Sequence, residues 1–232
     1  MVGGQRARSG IGAVRLGRAF WEYTGRRWEG VDWARKVFDL VEGVESRLAV
    51  RAATMAGWLA VSHDAPLVAA EAQQAMEKAR RLGDDAGFHR AQVMLAWVTL
   101  HSDIATAAGL LSEAITFFER SGDRWWQALA LLRRSDLVPN GRSDAARARS
   151  LLRALGDMHL YLAATRFLTS VALLEGDIDG AESFSRSKRG SSPGGWPTDT
   201  RKPKRFDPWD GSRCAATISS QPRSTIRRPS PS

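Results

Sequence analysis

Arginine and tryptophan recur together in this sequence at a spacing suited to recognition of another molecule. Arg51 and Trp58 are seven residues apart, and Arg90 and Trp97 repeat the pair 39 residues later. Residues seven apart lie on one face of a helix, about two turns from each other. A concave face with these side chains suits acidic or phosphorylated peptides, because guanidinium groups pair with carboxylates and phosphates. We therefore predict peptide binding at Arg51, Trp58, Arg90 and Trp97; the alternatives are interhelical packing for the tryptophans and a solvated flank for the arginines.

The other side chains capable of chemistry form no recognisable catalytic or metal-binding pattern. No histidine lies in an HExxH motif, and neither GxSxG nor CxxC occurs. The single cysteine, Cys214, has no partner for an intrachain disulfide, which is typical of a reducing cytoplasm. We predict that the chain is not an enzyme, that it has no catalytic residue, metal site or cofactor, and that its histidines have structural roles. These histidines are His63, His89, His101 and His159.

A repeated glycine and aspartate pair marks the elements that position these residues. The pair Gly83-Asp84 recurs at 122–123 and at 156–157, with steps of 39 and 34 residues. Such a period is typical of arrays of helical hairpins. Glycine suits the left-handed position just past a helix end, and the following aspartate can cap the next helix. Each pair therefore predicts a turn between two helices.

Apolar residues recur with helical periodicity between these turns. Segments 63–84 and 102–123 align without a gap, and the second contains one helical stripe, formed by Leu110, Leu111, Ala114, Ile115 and Phe118. Segment 48–60 contains a larger stripe of Leu48, Ala52, Met55 and Leu59 beside a small-residue stripe of Ala49, Ala53, Ala56 and Ala60. Small residues let a neighbouring helix approach closely. No period-two run indicates a strand. The predicted fold is all-α, an α-solenoid of antiparallel helical hairpins, with helices at 13–24, 28–41, 46–62, 66–82, 87–101, 104–121, 124–137, 143–155 and 158–175.

These residues resemble the tetratricopeptide-like (TPR) repeats that follow the nucleotide-binding module of large bacterial regulators of the LuxR, AfsR and nucleotide-cyclase-linked types. The resemblance rests on AFWEYTGRRWEGVDWARKVFDL (19–40), on the two aligned segments and on SGDRWWQALALL (121–132), and it covers residues 13–184. It implies a sensor or docking region that binds a protein or peptide partner in signal transduction or transcriptional control. The sequence contains neither the GxxxxGK[ST] loop nor a recognisable DNA-reading helix pair, so the ATPase and promoter-binding roles of those regulators are not implied.

The positive charge of the chain is concentrated at its ends. The net charge is +9, and residues 185–232 contain eleven Lys or Arg against three Asp, with seven of the nine prolines. We predict a disordered N-terminus (1–12), a helical repeat domain (13–184) and a disordered Ser/Pro/Arg-rich tail (185–232). Two further interpretations of the tail stay open. One is that the basic termini bind nucleic acid phosphates, which is the alternative function; the other is that the tail is a GC-rich gene translated out of frame.

The last predicted hairpin is incomplete. A tenth helix is predicted to start near Ile178 and to break off at 185–187. A stack that ends within a hairpin exposes apolar surface, so we predict marginal stability or self-association through this end. No apolar run approaches the roughly 20 residues that cross a bilayer, and the N-terminus does not resemble a secretory signal. We predict a cytoplasmic protein without membrane contact.

Overall fold

Nine α-helices make up the part of the chain that the structure describes. The structure is a computed structural model, and it describes residues 25–190. The helices are α1 (Arg27–Val41), α2 (Arg47–Ala60), α3 (Ala65–Arg81), α4 (Asp85–Thr99), α5 (Ile104–Ser121), α6 (Arg124–Arg134), α7 (Gly141–Leu155), α8 (Met158–Leu174) and α9 (Ile178–Gly190). No strand occurs within residues 25–190, so the predicted all-α class is confirmed there.

Each helix packs against the helix that follows it in sequence, and short turns connect them. The pairs α2–α3, α4–α5, α6–α7 and α8–α9 are the hairpins, and α1 precedes them. The first helices of successive hairpins also touch, because α2 contacts α4 and α4 contacts α6. We call the two helices of a hairpin its first and its second helix, and α1 is counted as a second helix. A joint is a group of three successive helices, made of one first helix and the second helices before and after it in sequence. The first joint is α1, α2 and α3; the second is α3, α4 and α5; the third is α5, α6 and α7.

The predicted turn chemistry is confirmed at each glycine and aspartate pair. The three glycines have φ between +59° and +74°, a region that residues with a Cβ rarely adopt. The aspartate that follows each glycine caps the next helix by accepting the backbone N–H of the residue three positions later. Aspartates cap three further helices in the same way. The six capping residues are Asp64, Asp84, Asp103, Asp123, Asp157 and Asp177.

Four of the capping aspartates also hold a residue from an earlier helix. Each uses Oδ1 for the cap and Oδ2 for this second contact. The donors are Arg35 Nη2 to Asp64 (2.8 Å), Arg90 Nη2 to Asp123 (2.9 Å), Trp125 Nε1 to Asp157 (2.8 Å) and Arg142 Nη2 to Asp177 (3.2 Å). One carboxylate therefore fixes both the start of a helix and its position against the preceding part of the array.

The buried faces follow the predicted stripes, with one correction in α2. Leu111, Ala114 and Phe118 of α5 are fully buried, as predicted. In α2 the small-residue stripe is the buried one, since Ala49, Ala53, Ala56 and Ala60 are between 0% and 7% exposed. The stripe of larger residues begins with Leu48, which is 75% exposed, so the prediction of Leu48 as a core position was wrong. Close helix packing against the alanines turns Leu48 outward.

Helix boundaries agree with the predictions to within a few residues. The helix predicted at 104–121 matches α5, whereas α6 ends at Arg134 instead of residue 137. The last helix, α9, continues to Gly190, beyond the predicted break at 185–187 and the predicted domain end at 184. The helix predicted at 13–24, the N-terminus at 1–12 and the tail from 191 onward lie outside the described residues. Among the helices of residues 25–190, none has the length and apolarity needed to span a bilayer.

Candidate functional site

The structure brings the two predicted tryptophans together but buries one of them. Trp58 lies near the end of α2 and Trp97 near the end of α4, and their ring centroids are 5.1 Å apart in an edge-to-face arrangement. Trp58 is 2% exposed, whereas Trp97 is only partly buried. Interhelical packing, the alternative interpretation, therefore describes Trp58. Of this pair, only Trp97 lies where a bound segment could touch it without repacking of the core.

Aromatic packing extends from these residues into the third hairpin. Trp125 at the start of α6 lies 5.4 Å from Trp58 and 5.1 Å from Trp126, measured between ring centroids. We call Trp58, Trp97, Trp125 and Trp126 the tryptophan cluster. Edge-to-face pairs of this kind contribute about 0.5–1.5 kcal/mol each beyond the burial of their area. The cluster joins α2, α4 and α6, so it stabilises the alignment of three first helices.

One of the two predicted arginines takes part in a structural ion pair. Arg90 forms an ion pair with Asp123, the cap of α6, and the two side chains are only 20% and 28% exposed. Arg51 is partly buried on the equivalent face of α2. The arginine of the second hairpin therefore has a structural partner already. Peptide binding by Arg51, Trp58, Arg90 and Trp97 together stays a prediction.

A third arginine, which the sequence analysis missed, lies against the partly exposed tryptophan. The guanidinium carbon of Arg133 is 4.0 Å from the centre of the Trp97 ring, a cation–π contact between α6 and α4. Nearby, partial burial raises the pKa of the Asp136 carboxyl, although the charges of Arg133 and His101 act to lower it. The surface formed by Trp97, His101, Arg133 and Asp136 is named here the Trp97–Arg133 surface. It combines an aromatic ring with a planar cation, a combination suited to binding carboxylates.

The repeat spacing explains why Arg133 was missed. The turn-to-turn step is 39 residues between Gly83 and Gly122 but 34 residues to Gly156. The position 39 residues after Arg90 is Leu129, a fully buried residue of α6, so the third hairpin does not continue the Arg51 and Arg90 series. The only sequence signal for Arg133 was its place at the end of an apolar helix.

Two of the histidines pack against aromatic rings. The His89 ring stacks on Phe117 with centroids 4.3 Å apart, and the His63 ring is 6.1 Å from that of Trp28. Within residues 25–190, no group of three or more His, Cys, Asp or Glu side chains is arranged to hold a metal ion.

Comparison with known proteins identifies no relative. No family model matches the sequence, and no curated protein or solved structure gives a significant match. The resemblance to the repeat region of bacterial regulators stays a prediction.

Proposed function

We propose that this chain is a protein-interaction scaffold, a right-handed solenoid of TPR-like hairpins that binds a segment of a partner protein. The observation that supports this most directly is the contact of α2 with α4 and of α4 with α6. Hairpins that share first-helix contacts can present one continuous surface to a partner, as repeat proteins do. The capping aspartates support the same arrangement, because they repeat one inter-helix contact along the array.

The proposed partner segment is acidic or phosphorylated and lies on the Trp97–Arg133 surface. Arg133 is oriented by its stacking on Trp97, and a planar guanidinium held in place loses little conformational entropy on binding. Arg51 lies on the neighbouring first helix, at the position equivalent to Arg90. Trp58 and Arg90 support this surface from beneath through the tryptophan cluster and the Asp123 ion pair.

The role proposed for this scaffold is non-catalytic docking or sensing in the cytoplasm, as part of a LuxR-type or AfsR-type regulator or a related signalling protein. Self-association through the end of the array belongs to the same proposal. Leu173, Leu174 and Ile178, around the turn from α8 to α9, are 54%, 87% and 57% exposed. An apolar patch of this kind suits a second protein surface.

The test begins with capture of a partner by the full chain and measurement of its affinity as a purified pair. Arg133→Glu should weaken that affinity by about tenfold or more, because it places a like charge against an acidic segment. Arg120→Glu is the matched control, since Arg120 is an exposed arginine of α5 whose Nε donates to the Thr116 carbonyl of its own helix. Circular dichroism would establish that both variants are folded. Equal affinity of the wild type and Arg133→Glu would reject this binding surface.

The alternative function, binding of nucleic acid through the basic termini, is supported by the charge of residues 185–232 alone. Phosphate contacts release counterions, so the affinity for DNA or RNA would then fall steeply as salt increases. Titration of the full chain with DNA and with RNA at two salt concentrations tests this. Absence of binding at low salt would exclude it.

A further inference from the structure

A cavity of about 210 Å³ lies within the first joint. Three small residues of α2, Ala49, Val50 and Ala53, line it on one side. The rest of its lining comes from the end of α1 and from α3, and it includes Phe38, Asp39, Glu42, Glu71, Gln74 and Lys78. We call this space the first-joint cavity. It is smaller than the roughly 300–1,000 Å³ that drug-sized ligands occupy, so it suits one side chain.

The second joint shows that this cavity is not a general consequence of the repeat. Both α2 and α4 end four residues before a capping aspartate, Asp64 or Asp103, so residues 39 apart occupy equivalent positions. The counterparts of Ala49, Val50 and Ala53 are Phe88, His89 and Gln92. These larger side chains fill the second joint.

Contacts in the second joint confirm that it is filled. His89 stacks on Phe117 at 4.3 Å between centroids, and Gln92 Nε2 donates to Glu113 at 2.8 Å. Phe117 and Glu113 are the counterparts of Lys78 and Gln74, which line the first-joint cavity. The space in the first joint therefore results from its own side chains.

The first-joint cavity has more negative than positive charge. Asp39, Glu42 and Glu71 line it, and Lys78 is the one cation in its lining. The Lys78 ammonium donates to the Val41 carbonyl at 3.1 Å. Within residues 25–190, no ion pair or side-chain hydrogen bond connects the three carboxylates to a cation. Burial raises the pKa of Glu71, and the charges of Glu42 and Asp39 raise it further, against the lowering effect of Lys78.

The third joint, which also has open space, lacks this charge pattern. Its groove of about 670 Å³ is lined by Glu119, Arg124 and Arg147 among others. Arg147 pairs with Glu119 at 2.9 Å, so the carboxylate there already has a cation. Of these two open joints, the first is the one whose charge favours a cationic group.

We propose that the first-joint cavity binds a single arginine or lysine side chain from a partner polypeptide. Phe38 and the small residues of α2 can pack on the aliphatic stem of such a side chain, and the three carboxylates in the lining favour its charged head. This proposal rests on the proposed function, because it requires a polypeptide partner. The partner would then make two contacts of opposite charge. An acidic segment would bind the Trp97–Arg133 surface, and a basic side chain would enter the first-joint cavity.

The chemistry of the cavity is tested with ethylguanidinium, which represents the end of an arginine side chain. The full chain, labelled with ¹⁵N, would be titrated with ethylguanidinium chloride and separately with ethylurea, its neutral isostere, at matched ionic strength. We expect saturable shifts of amide signals from residues 38–53 and 71–78 with ethylguanidinium and none with ethylurea. Shifts spread over the whole chain, or equal shifts with ethylurea, would overturn the proposal. So would shifts of the same amides on raising the protein concentration alone, since they would identify a second copy as the occupant.

Two variants and one control make the test specific. Glu71→Gln should weaken ethylguanidinium binding at least about fivefold, and Ala49→Phe, which introduces the residue of the second joint, should abolish it. Glu77→Gln is the matched control, because Glu77 is an exposed residue of α3 outside the cavity lining. Equal weakening by Glu77→Gln would overturn the proposal, since it would indicate a general charge effect.

The protein partner separates the failure of this inference from the failure of the proposed function. If a partner binds the wild type and Glu71→Gln with equal affinity, the cavity proposal is overturned and the scaffold function is retained. If no protein partner binds the wild type, the scaffold function fails and the proposal for a partner's side chain fails with it. In that case, saturable binding of ethylguanidinium would show that the cavity binds a small cation and not the side chain of a protein partner.

Discussion

The first and second joints have the same helix order and equivalent spacing, yet their interiors differ. The second joint is filled by Phe88, His89 and Phe117, with Phe118 buried beside them. The first joint has alanine or valine at the positions equivalent to Phe88 and His89, and it encloses a cavity lined by carboxylates. The comparison shows that the hairpin repeat fixes where helices lie, whereas a few interface side chains decide whether a joint becomes core or pocket.

Two ion pairs between arginine and aspartate also differ in how far they are exposed to solvent. The bridge from Arg90 of the second joint to Asp123, the cap of α6, is mostly buried, whereas Arg35 of the first joint, which holds Asp64, is 54% exposed. Exposed hydrophobic side chains also occur around the first joint, with Trp28 69% and Leu40 76% exposed. We infer that the stability of the array is centred on the second joint and decreases toward the first.

The largest expected effect comes from making the second joint resemble the first. Phe118 is fully buried, and its counterpart 39 residues earlier is Ala79. Phe118→Ala should lower the free energy of unfolding by about 3–5 kcal/mol, because it removes a large buried ring and leaves a cavity. Urea denaturation followed by circular dichroism measures this.

Two further variants calibrate that experiment. Phe118→Leu should be less harmful, and it would remain measurable if the alanine variant does not fold. Thr116→Ala, at an exposed position of the same helix, should change stability by no more than about 0.5 kcal/mol. A loss below about 1 kcal/mol for Phe118→Ala would contradict the claim that the second joint dominates stability.

A smaller effect should distinguish the two arginine bridges. Arg90→Ala should cost about 1–3 kcal/mol, because it leaves the partly buried Asp123 without its ion-pair partner. Arg35→Ala should cost less than about 1 kcal/mol, because solvent screens the exposed pair with Asp64. Thermal unfolding at low and high salt measures both, and only the Arg35 contribution should depend strongly on salt. Equal costs for the two variants would remove the contrast between the joints.

Local sequence signals were sufficient to predict the hairpins. The glycines at 83, 122 and 156 and the aspartates after them follow rules of chain geometry that act over a few residues, and the structure confirms these turns. The stripe of α5 was also predictable, because a 3.6-residue period identifies a buried face. The outward position of Leu48 was not predictable in this way, since two stripes of α2 competed and only the neighbouring helices decide between them.

The candidate sites depend on contacts between distant residues, and the sequence predicted them only in part. Trp58 and Trp97 were found because they share one repeat period, but the burial of Trp58 depends on Trp125 from a third hairpin. Arg133 lies outside the 39-residue register. The first-joint cavity results from side chains that are small relative to their counterparts in the second joint. That signal is visible in the aligned repeats only when the helix register is known.

The smallest expected effect concerns Glu71 and gives the sharpest contrast between stability and binding. Burial raises the folded-state pKa of Glu71 above its ordinary value, and the charges of Glu42 and Asp39 raise it further. The charge of Lys78 acts to lower it. The residues of α2 in the cavity lining are alanine and valine, which carry no charge. A raised carboxyl pKa means that folding disfavours the charged form. The group therefore destabilises the native state above that pKa, and the penalty is relieved as pH falls through it.

Glu71→Gln should be more stable than the wild type at pH 7, by less than about 1 kcal/mol because of screening, and the difference should vanish near pH 4. Thermal unfolding from pH 4 to 7, with Glu77→Gln as the control, tests this. A destabilised Glu71→Gln at pH 7 would show that the carboxylate has a favourable internal partner, and it would then have no need of a cation from another protein.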